Sequence, residues 1–179
     1  VKKDKAKIEV KYKLKSKKTI LPLAEVEIEY TVYPDGKIDV THEGTATLQN
    51  MVRFGTVLTM AREFDRVKWY GRGPHENYID RNKGADIGLY KTSIDDLFVP
   101  YQKPQEHGNR TGVRYAVLAG YPDKIKFEAD AEMEFNVCRN TVYELEDALH
   151  IHELPESDKL YVRAIKKQMG VGGYDSWGS

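Results

Sequence analysis

The sequence is poor in cysteine, in net charge and in long apolar runs. Its single cysteine, Cys138, leaves no partner for an internal disulfide. A lone cysteine in a strand-like run reads as a small buried hydrophobe. Lysine plus arginine and aspartate plus glutamate both number 28, so the formal net charge is +0. That balance gives no electrostatic ground for nucleic acid or an anionic membrane as partner. No apolar run approaches the roughly 20 residues needed to span a bilayer. The start, Val1-Lys2-Lys3-Asp4-Lys5, has neither an initiator methionine nor an apolar leader, which leaves localisation open. There is no repeat at a fixed period and no low-complexity linker. Gly71-Arg72-Gly73 lacks the third glycine of a dinucleotide fingerprint.

What the sequence does have is alternation. Ile8, Val10, Tyr12 and Leu14 alternate with Lys7, Glu9, Lys11, Lys13 and Lys15. A period of two puts one set on a buried face and the other in water, so the lysines read as a solvated strand face. Val26, Ile28, Tyr30 and Val32 alternate with Glu25, Glu27, Glu29 and Thr31, and Lys and Glu can pair if the two strands are neighbours. Asp35-Gly36 is a hairpin signal, after which Ile38 and Val40 continue the pattern. Residues 45–50 and 56–62 read as further strands, and 160–167 as the last. The longest puts Ile125, Phe127, Ala129, Ala131, Met133, Phe135 and Val137 on a core face. Lys126, Glu128, Asp130, Glu132, Glu134 and Asn136 fall on a wet face. Thr141 and Glu144 have capping-box spacing, which predicts a short helix with Val142, Leu145 and Leu149 on one side. Many strands at short intervals predict a single all-β sandwich over residues 1–179, with a lysine-rich strand at 1–18.

Residues 69–114 break the rhythm. They are rich in Gly, Pro, Asn, His and Tyr, which predicts long irregular loops of the kind that form sites or interfaces. Gly71 and Gly73 read as giving backbone freedom for a tight turn. His75, Glu76, Asn77, Tyr78, Asp80 and Arg81 follow closely. They either line a site or satisfy one another within an ordered loop, and the latter is the simpler reading. His150 and His152 share a face in extended chain, but no third ligand is evident and no metal site is assigned. At the C-terminus, Gly170-Val171-Gly172-Gly173-Tyr174-Asp175-Ser176-Trp177 offers a glycine-rich hinge followed by an indole. That indole is either core or a flat apolar platform for the C–H face of a sugar. Asp175 and Ser176 could hydrogen-bond hydroxyls or cap the loop.

Three separated motifs resemble the C-terminal small-chain domain of glycoside hydrolase family 2 β-galactosidases. They are Trp69-Tyr70-Gly71-Arg72-Gly73-Pro74-His75-Glu76-Asn77-Tyr78 with Asp80-Arg81; Pro100-Tyr101 with Pro104-Gln105-Glu106 and Gly108-Asn109-Arg110; and Met169-Gly170-Val171-Gly172-Gly173-Tyr174-Asp175-Ser176-Trp177. The family pattern carries Asp in place of Tyr174. The resemblance implies an antiparallel super-sandwich similar to galactose mutarotase, cut short here at its C-terminus, with an exposed edge that favours pairing with a second copy. It implies a parent enzyme that hydrolyses terminal β-D-galactosides, lactose among them, with retention. Retention needs two carboxyl groups about 5–5.5 Å apart, and in the family both lie on an upstream barrel. The magnesium site lies there too, with sodium left open as a further cation, and no cofactor is expected in this chain. The resemblance assigns no catalytic residue here, Glu76 and Glu106 included. It makes Trp177 the residue that stacks on the sugar, with Asp175 and Ser176 beside it. It also puts Gly71, Gly73, His75, Glu76, Asn77, Tyr78, Glu106, Asn109 and Arg110 in loops near a domain interface. The expected partners are the barrel and the galactoside.

Two other functions remain open at this level. An independent carbohydrate-binding module would bind galactose without a partner. A mutarotase-type enzyme would need an acid and a base, for which His75 with Glu76, or His107 with Glu106, are the candidates.

Overall fold

A computed structural model describes residues 5–15, 22–47 and 51–170. It is nearly all-β, with antiparallel sheets and one short α-helix, as an all-β sandwich class requires. The chain divides into two compact units, Val1–Met51 and Val52–Ser179. No helix among the described residues is long and apolar enough to cross a membrane.

The first unit is a three-stranded meander of β1 (Ala6–Leu14), β2 (Ala24–Val32) and β3 (Ile38–Ala46), in that order. The alternation sets its register. Lys11 lies opposite Glu27 and Lys13 opposite Glu25. Ion pairs follow at 2.7 Å for Lys7–Glu29, 3.0 Å for Lys11–Glu27 and 2.9 Å for Lys13–Glu25. Asp35-Gly36 turns the chain between β2 and β3, with Gly36 at φ 87°, a backbone angle that costs glycine little. The third strand ends at Ala46, short of the expected run over 45–50, whose residues 48–50 lie outside the described set. The apolar face is not buried as the alternation predicted. Ile8, Tyr12, Leu14 and Ile38 are all more than half exposed.

The second unit is a six-stranded sheet in the order β4 (Arg53–Ala61), β9 (Lys159–Gln168), β8 (Asp123–Cys138), β7 (Arg110–Gly120), β5 (Arg66–Gly73), β6 (Asp86–Ser93). Its core joins Val67 and Trp69 of β5, Val113, Ala116 and Leu118 of β7, Met133, Phe135 and Val137 of β8, and Leu160 and Val162 of β9. Ile94 and Leu97, in and beside a short 3-10 turn, belong to the same cluster. Each large apolar side chain withdrawn from water here contributes about 1.5–3 kcal/mol. The helix α1 (Val142–Asp147) carries the expected capping box: the Thr141 hydroxyl accepts from the Glu144 N–H while the Glu144 carboxylate accepts from the Thr141 N–H. Only Leu145 is buried along it; the helix ends before Leu149, which stays exposed.

Three strands sit where long loops were expected. Trp69 to Gly73 complete β5, and β6 and the start of β7 also fall within 69–114. Gly71 and Gly73 are therefore strand residues rather than turn residues. A Cβ on Gly71 would meet the Val113 Cα at 2.7 Å, and one on Gly73 the Tyr90 ring at 2.8 Å. They allow close packing. A second correction concerns β8. Its first half is largely exposed, but from Met133 to Cys138 every residue is buried, Glu134 and Asn136 included. Beside this change the register slips: Val113 pairs with Met133 while Tyr115 pairs with Glu128, the signature of a bulge.

Candidate functional site

Buried polar side chains gather where residues 74–85 and 98–109 meet the β8–β9 end of the second sheet. Glu76 is the anchor of the first loop. Its Oε2 accepts the Gly108 N–H at 2.6 Å. Its Oε1 accepts Arg81 Nη2 at 2.9 Å and also the Tyr101 hydroxyl. Burial alone would raise the Glu76 pKa, but these hydrogen bonds and the Arg81 charge outweigh it and hold the carboxyl below its ordinary range. Gly108 sits at φ 82°, the left-handed region, and can offer its N–H this way without steric cost.

Asn77 stitches the loop to β7. Its N–H donates to Asn109 O at 2.8 Å, and its Oδ1 accepts both the Thr111 N–H at 2.8 Å and the Thr111 hydroxyl at 2.7 Å. Asn109 Nδ2 then donates to Asn77 O at 3.1 Å and to Glu134 Oε2 at 2.7 Å. Asn136 continues the network, donating to His107 O and accepting from Arg163 Nη1 at 2.6 Å. Glu106 pairs with Arg53, whose Nε also donates to Gln168 Oε1 at 3.0 Å. These bonds are why the polar face of late β8 is not wet: the 106–111 segment covers it.

Four titratable groups carry the electrostatic cost of this burial. Burial lowers the Arg110 pKa to about 10 against the opposing pull of Glu76 and Tyr78. Its guanidinium stands 5.2 Å from the Trp69 ring centroid and donates to Gly108 O and Pro74 O. Burial also lowers His107 to about 4, with its ring edge-on to Phe98 at 4.9 Å. Glu134 is shifted upward, again by burial first. Tyr78 is fully buried under the Arg81 guanidinium, 4.6 Å from its ring, and its pKa is raised by desolvation. The Tyr78 hydroxyl, both His107 nitrogens, Arg110 Nε and Gln168 Nε2 have no hydrogen-bond partner among the described residues.

The carboxylates of the two loops are taken up in holding them. A general acid needs a carboxyl poised to give up its proton, and Glu76 is held ionised and fully engaged. Glu106 is tied to Arg53. His75 is exposed, and it is its backbone oxygen that accepts from Asn77 Nδ2. A cavity of about 520 Å³ opens between Trp69, Tyr90, His75, Glu76, Phe98 and Arg110. Trp69 is only 3% exposed, so its ring face offers no platform there. Trp177, Asp175 and Ser176 lie outside the described residues. Gly170, the last described residue, lies against the first loop, where an added Cβ would come within 2.4 Å of the Asp80 carboxylate.

Among the described residues, one group could hold a metal: His150, His152 and Glu153. Two imidazoles and one carboxylate do not suit magnesium, which takes oxygen ligands, so the magnesium implied by the resemblance finds no fit there. Sequence reasoning picked out both loops but missed Arg53, Glu134, Asn136, Arg163 and Gln168. Glu134 and Asn136 gave no signal of burial, because alternation with Met133, Phe135 and Val137 is also the pattern of a wet strand face.

Such a module, an antiparallel sheet whose buried polar side chains hold two loops, is an all-β domain. Over residues 1–179 it matches the family described as "Beta galactosidase small chain", and the chain belongs to that family. It is 41% identical over 158 residues to a protein named beta-galactosidase from Priestia megaterium, covering 87% of this chain and 15% of that protein. A beta-galactosidase from Streptococcus thermophilus is 39% identical over 159 residues, covering 87% and 16%. One from Halalkalibacterium halodurans is 38% identical over 162 residues, with the same coverage. The chain thus spans 15–16% of the length of these relatives.

Proposed function

We propose that this chain is a non-catalytic domain of a larger β-galactosidase, that it docks on the catalytic barrel, and that it supplies Trp177 as a stacking platform to the sugar site. The observation that carries this reading is the family match over residues 1–179, set against relatives about six times longer. The parent would hydrolyse terminal β-D-galactosides such as lactose, with both catalytic carboxylates and the magnesium on the barrel. This chain's part would be to bind and orient. The apolar face of the indole would pack on the C–H face of galactose and exclude water from it. Asp175 and Ser176 would hydrogen-bond nearby groups.

The buried network supports this division of labour. It fixes the loops through Glu76, Asn77 and Arg110. It also fixes the end of β9 through Gln168, two residues before Gly170. A tail rooted on a rigid strand end loses less freedom when it reaches a ligand than one rooted on a loop.

The test is turnover and binding by the purified chain alone. The expected outcome is no hydrolysis of a chromogenic β-galactoside and no calorimetric heat with galactose. Turnover would overturn the non-catalytic assignment. Saturable galactose binding would favour an independent carbohydrate-binding module.

A further inference from the structure

We infer that His150, His152 and Glu153 form a surface site for a divalent transition ion of the zinc, nickel or copper type. The third ligand not evident from the sequence is Glu153, which the 3-10 turn Ile151–Glu153 folds back onto His150. Glu153 Oε2 accepts the Leu149 N–H at 2.8 Å and the His150 N–H at 3.2 Å. Those two bonds orient the carboxylate and leave Oε1 free to face His150 Nδ1 at 3.1 Å. Metal–ligand bonds of about 2.0–2.1 Å set neighbouring donors about 3 Å apart, so this pair already has a chelating separation. The His152 ring stacks on the His150 ring, with centroids 5.4 Å apart and planes 22° from parallel. Donor atoms of all three residues lie within 4.8 Å of one another. All three side chains are exposed and can close the remaining gap by rotation about their own torsions.

The donor set selects the ion. Two imidazole nitrogens and one carboxylate oxygen suit borderline transition metals and disfavour calcium and magnesium. The backbone hydrogen bonds to Oε2 hold in place the carboxylate that would ligate the ion. A bound ion would replace the His150 Nδ1–Glu153 Oε1 contact with two bonds to the metal. It would also clip the turn that joins α1 to β9. The remaining coordination positions would open to water.

The experiment is calorimetric titration of zinc chloride into the metal-free 179-residue chain. We expect one ion per chain, no heat with magnesium chloride, and an affinity at least about ten-fold weaker in His152→Ala and in His150→Ala. His152→Ala is the decisive variant, because its ring contacts only His150 among the contacts described and its loss leaves the capping bonds in place. A thermal melt checks that each variant is folded. Absence of saturable zinc binding, or an affinity in His152→Ala equal to that of the unaltered chain, overturns the site.

Discussion

Both units pair acidic with basic side chains, and the pairs differ in their access to water. In the first, Lys7, Lys11 and Lys13 meet Glu29, Glu27 and Glu25 along one exposed sheet face. The Lys7–Glu29 hydrogen bond raises the lysine pKa and lowers that of the glutamate. Such pairs are screened by salt and cost side-chain entropy to form, so their worth lies in register and solubility. In the second, Glu76 and Arg110 are withdrawn from water and held by several partners each, and the buried Glu106 pairs with Arg53. There, a lost partner leaves a buried polar group unsatisfied, which costs far more than the bond itself contributes. The same residue types thus give tolerance in one unit and dependence in the other.

That contrast makes graded predictions. The largest effect is expected for Glu76→Ala, which strands the Gly108 N–H and the Tyr101 hydroxyl. We expect a loss of about 3 kcal/mol in denaturant unfolding, with a smaller loss for Glu76→Gln. Full stability in Glu76→Ala would break the comparison.

Next comes acidity. His107 is held neutral, its pKa falling from 6.5 unfolded to about 4 folded. Between those values the unfolded chain binds the extra proton, so stability falls as pH drops from about 6.5 to about 4. The slope should approach about 1.4 kcal/mol per pH unit from this one group. Glu76, with its lowered pKa, loses stability in the same direction at the acid end. His107→Gln should flatten the upper part of the profile, and an unchanged profile would count against the buried neutral histidine.

A smaller effect, about 1–3 kcal/mol, is expected for Gly71→Ala, whose Cβ must push β7 away at Val113. Its thermal melt would give the answer. The smallest is Lys11→Ala on the exposed ladder, where we expect a melt indistinguishable from the unaltered chain at high salt. A clear loss there would show the ladder to be more than a solvated face.

Much of the fold was legible because side-chain period and turn chemistry act locally. The register of β1 on β2, the Asp35-Gly36 hairpin and the Thr141 capping box all follow from neighbours in sequence. The β5, β6 and β7 strands were hidden for a physical reason. Gly71, Gly73 and Gly88 interrupt the alternation, and edge strand β6 turns Ile87 and Leu89 outward. The buried half of β8 was hidden because no period reveals a second covering layer. Glu134 and Asn136 look like wet-face residues until the 106–111 segment is folded over them. For the site, composition pointed to both loops, but their partners Arg53 and Gln168 lie far away in sequence.

The role proposed for this module is delivery of an aromatic surface to a sugar held elsewhere. Trp177→Ala in the full-length parent enzyme tests that most directly, read as steady-state kinetics on a β-galactoside. The account predicts a KM raised by about ten-fold or more through loss of stacking, with the melting temperature unchanged. Kinetics equal to those of the unaltered enzyme would contradict it.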